Sequence, residues 1–328
     1  MAVFAELVKQ EGYLAVTGDV ALANVHSGSW NAEEVVIIQE LDSGLGRELI
    51  GRGAKPAVLT GLESPLFAYS FYDQLPELAP SFEHRALFDG AFKTLSAETG
   101  HNYHIRFPNY HPEDILPLAP WEGRKNIVMV TANKHYQPVG IETASQVQSK
   151  TRSMAIQHEL HSKRLEAIEF FASEGLLDLF GHGWNELGRL PQYWQERLED
   201  TLRSLQPHPC EDKIRTIAAY KFAICFENMV YPGYITEKII DCFVAGVIPI
   251  YLGAPDVQDH IPGEAFIDKR QFSSWPDLAG YLDSLPEKAA LDLLAAGRSF
   301  LTSAEGRLYS FSGFARFIRD MILPKGGC

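Results

Sequence analysis

YKFAICFENMVYPGYITEKIIDCFVAGVIPIYLG, residues 220–253, decides the fold of this chain. Tyr220 to Phe226 is a short, nearly all-apolar run, the pattern of a strand buried on both faces. It ends on two polar residues, Glu227 and Asn228, and Tyr231-Pro232-Gly233 then signals a turn. Thr236-Glu237-Lys238 opens a helix whose Ile239, Ile240, Phe243 and Val244 recur at helical spacing, and Gly246 is a natural stop. Val247 to Leu252 reads as a second buried strand. Strand, polar loop, helix and strand make one βαβ unit. Ligands of such units sit where a strand's carboxyl end meets the next helix's amino end. That junction holds Glu227, Asn228, Tyr234, Thr236, Glu237 and Lys238. The same residue types also build ordinary solvated loops and helix caps, so local pattern alone does not make a site.

The order and spacing of the whole stretch do more. Tyr220-Lys221-Phe222, Phe226-Glu227-Asn228, Tyr234-Ile235-Thr236-Glu237-Lys238 and the Ile248-to-Pro255 strand and turn resemble the donor-binding signature of the α-1,3/4-fucosyltransferases, glycosyltransferase family 10. The resemblance continues through Ile261-Pro262, Ala265-Phe266-Ile267 and Gln271-Phe272. It implies a GT-B architecture, with two Rossmann-like domains facing across a cleft. It also implies an inverting transfer of fucose from GDP-fucose to a GlcNAc- or N-acetyllactosamine-type glycan in α-1,3 linkage.

Composition is compatible with that. The 328 residues suggest two domains, and 46% hydrophobic with 22% charged residues suffices for real cores. A net charge of −13 argues against a nucleic-acid partner and against broad docking on anionic lipid. An anionic sugar nucleotide needs only a local cationic pocket. No apolar run approaches the ~20 residues of a membrane span, and the amino terminus lacks the pattern of a signal peptide. Animal members of the resembled family carry a membrane anchor. This chain looks like a bacterial, cytoplasmic member, and any association with a membrane surface is expected to be weak. Cys210, Cys225, Cys242 and Cys328 show no zinc-ligand spacing and are expected to be reduced thiols.

In chain order, Val35 to Ile38 and Ala57 to Thr60 read as strands, and Tyr69 to Phe88 as an aromatic, proline-rich segment. Asn102 to Pro120 resembles an interdomain connection. Its neighbours His101, His104 and His111 have no metal-ligand spacing. Lys125 to Thr131 is a buried strand, Met154 to Ser173 a helix, and Leu176 to Phe180 a strand before Gly181. Helices are expected at Gln192 to Leu205, Asp277 to Leu301 and Phe311 to Ile322. The expected division is an acceptor-side α/β domain over 1–120, a GDP-sugar domain over 121–310, and a closing helix and tail over 311–328.

Breaking a sugar–diphosphate bond builds negative charge on the leaving group, which a cation must meet. Lys238, at the amino end of a helix aimed at the junction, fits that task. The segment from Arg164 to Gly181 resembles the family's helix that opens on an arginine, and a guanidinium matches phosphate oxygens as a fork. Lys163 and Arg152 compete with it. Asn228, Tyr234 and Glu237 fit sugar and ribose hydroxyls or a stack on the donor, and Glu227 fits those hydroxyls or orients Lys238. An inverting reaction needs a base. Gly61-Leu62-Glu63-Ser64-Pro65 resembles the family segment carrying it, so Glu63 is the candidate, with Glu33, Glu34 and Glu40 as competitors. No Asp-x-Asp occurs, so no metal site and no cofactor are expected. Two other readings stay open: the same chemistry with another GDP-sugar such as GDP-arabinose, and an inactive glycan- or nucleotide-binding protein. A Rossmann dehydrogenase or methyltransferase would need G-x-G-x-x-G after the first strand, where Gln39-Glu40-Leu41 stands instead.

Overall fold

The computed structural model describes residues 2–95, 100–134 and 149–323. The chain divides into two compact units. Unit 1 comprises Met1–Pro108, Gln148–Ala155 and Leu308–Cys328; unit 2 comprises Asn109–Val147 and Ile156–Arg307. Sequence reading puts the breaks at 120 and 310. The carboxyl-terminal helix Phe311–Ile322 belongs to unit 1, where Ile318 packs on Ala57 and Val58 with Phe4, Phe314 and Phe317 around them.

Unit 1 is built on a parallel sheet of four strands in the order β1 (Val36–Glu40), β2 (Lys55–Thr60), β3 (His84–Leu87), β4 (His101–His104). The aromatic, proline-rich segment contains a helix, Tyr69–Leu78, and runs into β3. The helix tolerates Pro76 within it. The stretch read as a connection begins with β4, whose His101 and His104 pair in register with His84 and Leu87.

Unit 2 has five parallel strands in the order β6 (Leu177–Phe180), β5 (Lys125–Val130), β7 (Tyr220–Ile224), β8 (Ile248–Tyr251), β9 (Ile267–Asp268). Phe222 and Ile224 of β7 and Ile248 and Ile250 of β8 enter one core with Ile127, Leu165, Ile168, Phe171 and Leu179. The helix Glu237–Ala245 joins β7 to β8, and Gly246 ends it with φ 74°, a left-handed position that favours glycine. Strand order reverses at β5, which lies between β6 and β7, and such a switch point leaves a crevice at the strands' carboxyl ends.

Two expected helices are each split in two. Met154 to Ser173 is broken at 158–160, between Lys150–Gln157 and His161–Ser173. There the chain pairs with the loop after β7: Leu160 N donates to Asn228 O at 2.9 Å and Val230 N to His158 O at 2.8 Å. Asp277 to Leu301 is Trp275–Ser284 and Glu287–Thr302, separated at Leu285-Pro286, because the residue before a proline is pushed out of helical geometry. Among the described residues no helix is long and apolar enough to cross a membrane, and Cys210, Cys225 and Cys242 are free thiols.

Candidate active site

A small cavity opens at the carboxyl ends of β5 and β7 in unit 2, at the switch point. Its walls include Met129 to Thr131, Ala223 to Phe226 and three cations, Arg164, Lys213 and Lys238. No carboxylate stands among its lining residues that the structure describes.

Arg164 lies in the first turn of His161–Ser173, and the 158–160 pairing just before it fixes that helix to the loop after β7. Its Nη2 donates to Phe226 O at 2.7 Å and to Asn228 Oδ1 at 3.0 Å. Nε and Nη1 carry no hydrogen bond among the described residues. Burial lowers its pKa, partly offset by Glu227, Tyr234 and Glu237, yet a guanidinium stays charged. Asn228 Nδ2 in turn donates to the Tyr234 hydroxyl at 3.0 Å. Arg164, Asn228 and Tyr234 are therefore one bonded chain, and Tyr234, 1% exposed, serves as an internal strut rather than an open stacking face.

Glu227 is fully buried and its oxygens are filled. Oε1 accepts from Thr236 N at 2.8 Å; Oε2 accepts from Thr236 Oγ1 at 2.8 Å and from Lys238 Nζ at 3.0 Å. This carboxylate clamps the amino end of the helix Glu237–Ala245 and aims Lys238. Of the two roles read from sequence, the orienting one is what the geometry allows. Gly253 is demanded by the same clamp, because a Cβ there would collide with Glu227 Cγ and the Tyr251 hydroxyl. Lys238 Nζ also bonds Thr236 Oγ1 at 2.8 Å and lies 3.4 Å from Glu237 Oε1. Burial works against the charge on Lys238, but Glu227 and Glu237 outweigh it and raise its pKa.

Lys213 escaped the sequence reading. It opens the short helix Lys213–Ile217 before β7, and its Nζ meets Asp241 Oδ2 at 2.5 Å, while Asp241 Oδ1 accepts from Asn109 Nδ2 at 2.6 Å. The two residues read as competitors of Arg164 stand elsewhere. Lys163 is exposed and pairs with Glu166 at 2.7 Å; Arg152 belongs to unit 1 and lies 6.0 Å over the Tyr69 ring.

Glu63 belongs to unit 1, in the loop after β2. Its Oε1 accepts from Ser64 N at 2.7 Å and from Ser64 Oγ at 3.1 Å, its backbone oxygen accepts from Tyr72 OH at 2.8 Å, and Oε2 has no hydrogen bond among the described residues. Glu40 ends the neighbouring strand β1. Its carboxylate accepts from Thr60 Oγ1 and, at 2.7 Å, from Leu62 N. Packing around that carboxyl end raises its pKa against those two hydrogen bonds, and the charge of Glu63 adds to the rise. Glu33 and Glu34 are exposed in a 3₁₀ turn.

A family model described as glycosyltransferase family 10 (fucosyltransferase), C-terminal, matches residues 147–291. That match takes in β6 to β9 of unit 2 and falls short of half of the chain. Every cation of the unit 2 cavity lies inside the matched residues. An α-(1,3)-fucosyltransferase of Helicobacter pylori is 30% identical over 117 residues, 35% of this chain and 24% of that protein. An α-(1,4)-fucosyltransferase of Arabidopsis thaliana is 41% identical over 66 residues, 20% of this chain and 16% of that one. The chain thus spans about a quarter or less of the length of these curated relatives. A glycosyltransferase structure from Rickettsia africae aligns with a TM-score of 0.55 at 11% identity, over 94% of this chain and 81% of that one. That likeness concerns the fold, which is α/β of the GT-B type.

The matched segment carries a testable acid sensitivity. Burial would raise the pKa of Glu237, but Lys238 and Lys213 overcome it and hold the carboxyl at about 2. In the unfolded chain the group returns to about 4.5, its ordinary value. Its contribution to stability is therefore complete above that value and is lost as pH falls toward 2. Urea midpoints of Glu237→Gln should fall less steeply than wild type between pH 4.5 and 2. Parallel curves for the two proteins would mean that Glu237 does not couple to its lysines.

Proposed function

We propose that this protein is an inverting fucosyltransferase, moving fucose from GDP-fucose to a GlcNAc- or N-acetyllactosamine-type glycan in α-1,3 linkage. The observation that carries the reading is the cavity at the β5/β7 switch point, whose described lining residues include Arg164, Lys213 and Lys238 and no carboxylate. A diphosphate is the ligand such a wall suits. Arg164 offers two nitrogens that carry no hydrogen bond among the described residues, and Lys238 sits at a helix amino end, where the dipole also favours anions. The sugar is inferred from the family and from the relatives' names.

In the proposed reaction the acceptor hydroxyl oxygen bonds to the anomeric carbon of fucose while the bond from that carbon to the β-phosphate oxygen breaks. The hydroxyl proton passes to Glu63 Oε2. GDP leaves with the bonding electron pair, and Arg164, Lys213 and Lys238 stabilise the charge it gains. Asn228 and Tyr234 hold Arg164, and Glu227 holds Lys238. Glu237 keeps an exposed part that can meet a sugar hydroxyl.

Incubation with GDP-fucose, GDP-arabinose, GDP-mannose and UDP-sugars plus a lactosamine acceptor, read by mass spectrometry, tests the reading. A fucosylated product from GDP-fucose alone is expected; a product from another donor instead, or none from any, overturns it. The three cations take the part a divalent ion plays elsewhere, so EDTA should leave most turnover intact. Complete loss on chelation, reversed by manganese, would refute metal-independent transfer.

A further inference from the structure

Lys213 is held differently from the other two cations of the cavity. Arg164 is buried and bonded to the loop after β7, and Lys238 is clamped by Glu227. The Lys213 side chain is 33% exposed. An ammonium on a flexible four-carbon stem is drawn into water unless something tethers it. Its own element offers no tether. Lys213 opens the short helix Lys213–Ile217, and the adjacent Asp212 is spent on Arg215, accepting from its N at 3.0 Å and pairing with its Nε at 3.2 Å. The tether comes from the helix Glu237–Ala245. Asp241 lies there at helical spacing from Glu237 and Lys238, on a face shared with both. Its side chain is 8% exposed, and Oδ2 lies 2.5 Å from Lys213 Nζ. Oδ1 accepts from Asn109 Nδ2 at 2.6 Å.

Both carboxylate oxygens of Asp241 are thus engaged, which fixes its orientation. Asp241 is absent from the cavity's described lining and Lys213 is part of it, so the ammonium rather than the carboxylate faces a ligand. Burial works against the charge on Lys213, but Asp241 and Glu237 outweigh it and raise its pKa, against the opposition of Lys238. We infer that Asp241 is the positioning residue of this third cation: it keeps Lys213 in the cavity wall to meet the diphosphate, and Asn109, the residue on which the chain enters unit 2, keeps Asp241 in place. The inference rests on the reading of this cavity as a nucleoside-diphosphate site. The helix Glu237–Ala245 then governs two cations, carrying Lys238 and tethering Lys213. The carboxylate also repels a phosphate, but from behind the ammonium, and the nearer charge dominates.

Calorimetry with GDP on a double-mutant cycle tests this. Lys213→Met should weaken GDP at least about tenfold, the loss expected of a charge-assisted contact. Asp241→Asn should reproduce most of that loss, and in the Lys213→Met background it should cost nothing further. A carboxylate that merely supports the fold would weaken GDP in both backgrounds, and that outcome overturns the inference. Asp241→Asn that binds GDP as tightly as wild type, or more tightly, also overturns it, because Asp241 would then only oppose the ligand. Asn109→Ala should weaken GDP in the wild-type background, by less than Asp241→Asn does, and leave it unchanged in the Lys213→Met background. That pair carries the test should Asp241→Asn not fold, and an equal loss in both backgrounds counts against the inference. Unchanged GDP binding in Lys213→Met removes Lys213 from the site and the inference with it, leaving Arg164 and Lys238. Wild type that does not bind GDP defeats instead the reading of the cavity.

Discussion

Arg164→Ala should lower GDP affinity by at least about tenfold, the loss expected when a charge-assisted contact of about 1.5–3 kcal/mol disappears. Arg164→Lys should recover only part of it. The guanidinium spends Nη2 on Phe226 O and Asn228 Oδ1 and keeps two further nitrogens for the ligand, and a single ammonium cannot do both. Full recovery in Arg164→Lys would remove the fork from the argument. Lys238→Ala should weaken GDP similarly, but it carries a second cost. Glu227 is buried and would lose its cationic partner, and stranding one charge of such a pair typically costs about 3–5 kcal/mol. The thermal midpoint should therefore drop in Lys238→Ala and recover in the double variant Glu227→Gln/Lys238→Met, while GDP affinity stays low in both. Restored GDP binding in the double variant would mean that Lys238 acts only through the fold.

That pairing shows where sequence reading succeeded and where it stopped. The β7–helix–β8 unit was legible because each part has a local cause: apolar runs for the buried strands, Thr236 and Gly246 at the helix ends, polar residues between. Arg164 was legible from the resemblance of its helix. Lys213 was not, because nothing near it signals a role. Only folding brings it to Asp241 and the cavity. The break at 158–160 was hidden for the same reason, since its cause is pairing with the distant loop 228–230. Strands β3 and β4 read His-Arg-Ala-Leu and His-Asn-Tyr-His, and neither shows the apolar run expected of a buried parallel strand. Neighbours on the sheet decide their conformation, as tertiary context overrides propensity.

Glu63→Gln should cut kcat by about 10²–10⁴-fold while leaving GDP affinity near wild type, if Glu63 is the general base. The substitution keeps the size of the side chain, and a glutamine Oε1 can still accept from Ser64 N and Oγ, so the loop after β2 should hold its shape. What it loses is the oxygen that has no hydrogen bond among the described residues and could take a proton. GDP binding should be spared because the cation-lined cavity belongs to unit 2 and Glu63 to unit 1. Glu40 supplies the control. It ends the adjacent strand, and its raised pKa makes it the other carboxylate suited to take a proton. Its oxygens are nonetheless engaged by Thr60 and Leu62, which fits a group that shapes the loop carrying Glu63 rather than one that collects the proton. Glu40→Gln should then lower kcat modestly, by less than Glu63→Gln does, and the double variant should be no worse than Glu63→Gln alone. The reverse ranking, with Glu40→Gln nearly inactive and Glu63→Gln near wild type, would transfer the base to the end of β1. Loss of GDP binding in Glu63→Gln would instead make Glu63 a residue that the fold needs, and neither carboxylate would then be assigned the proton.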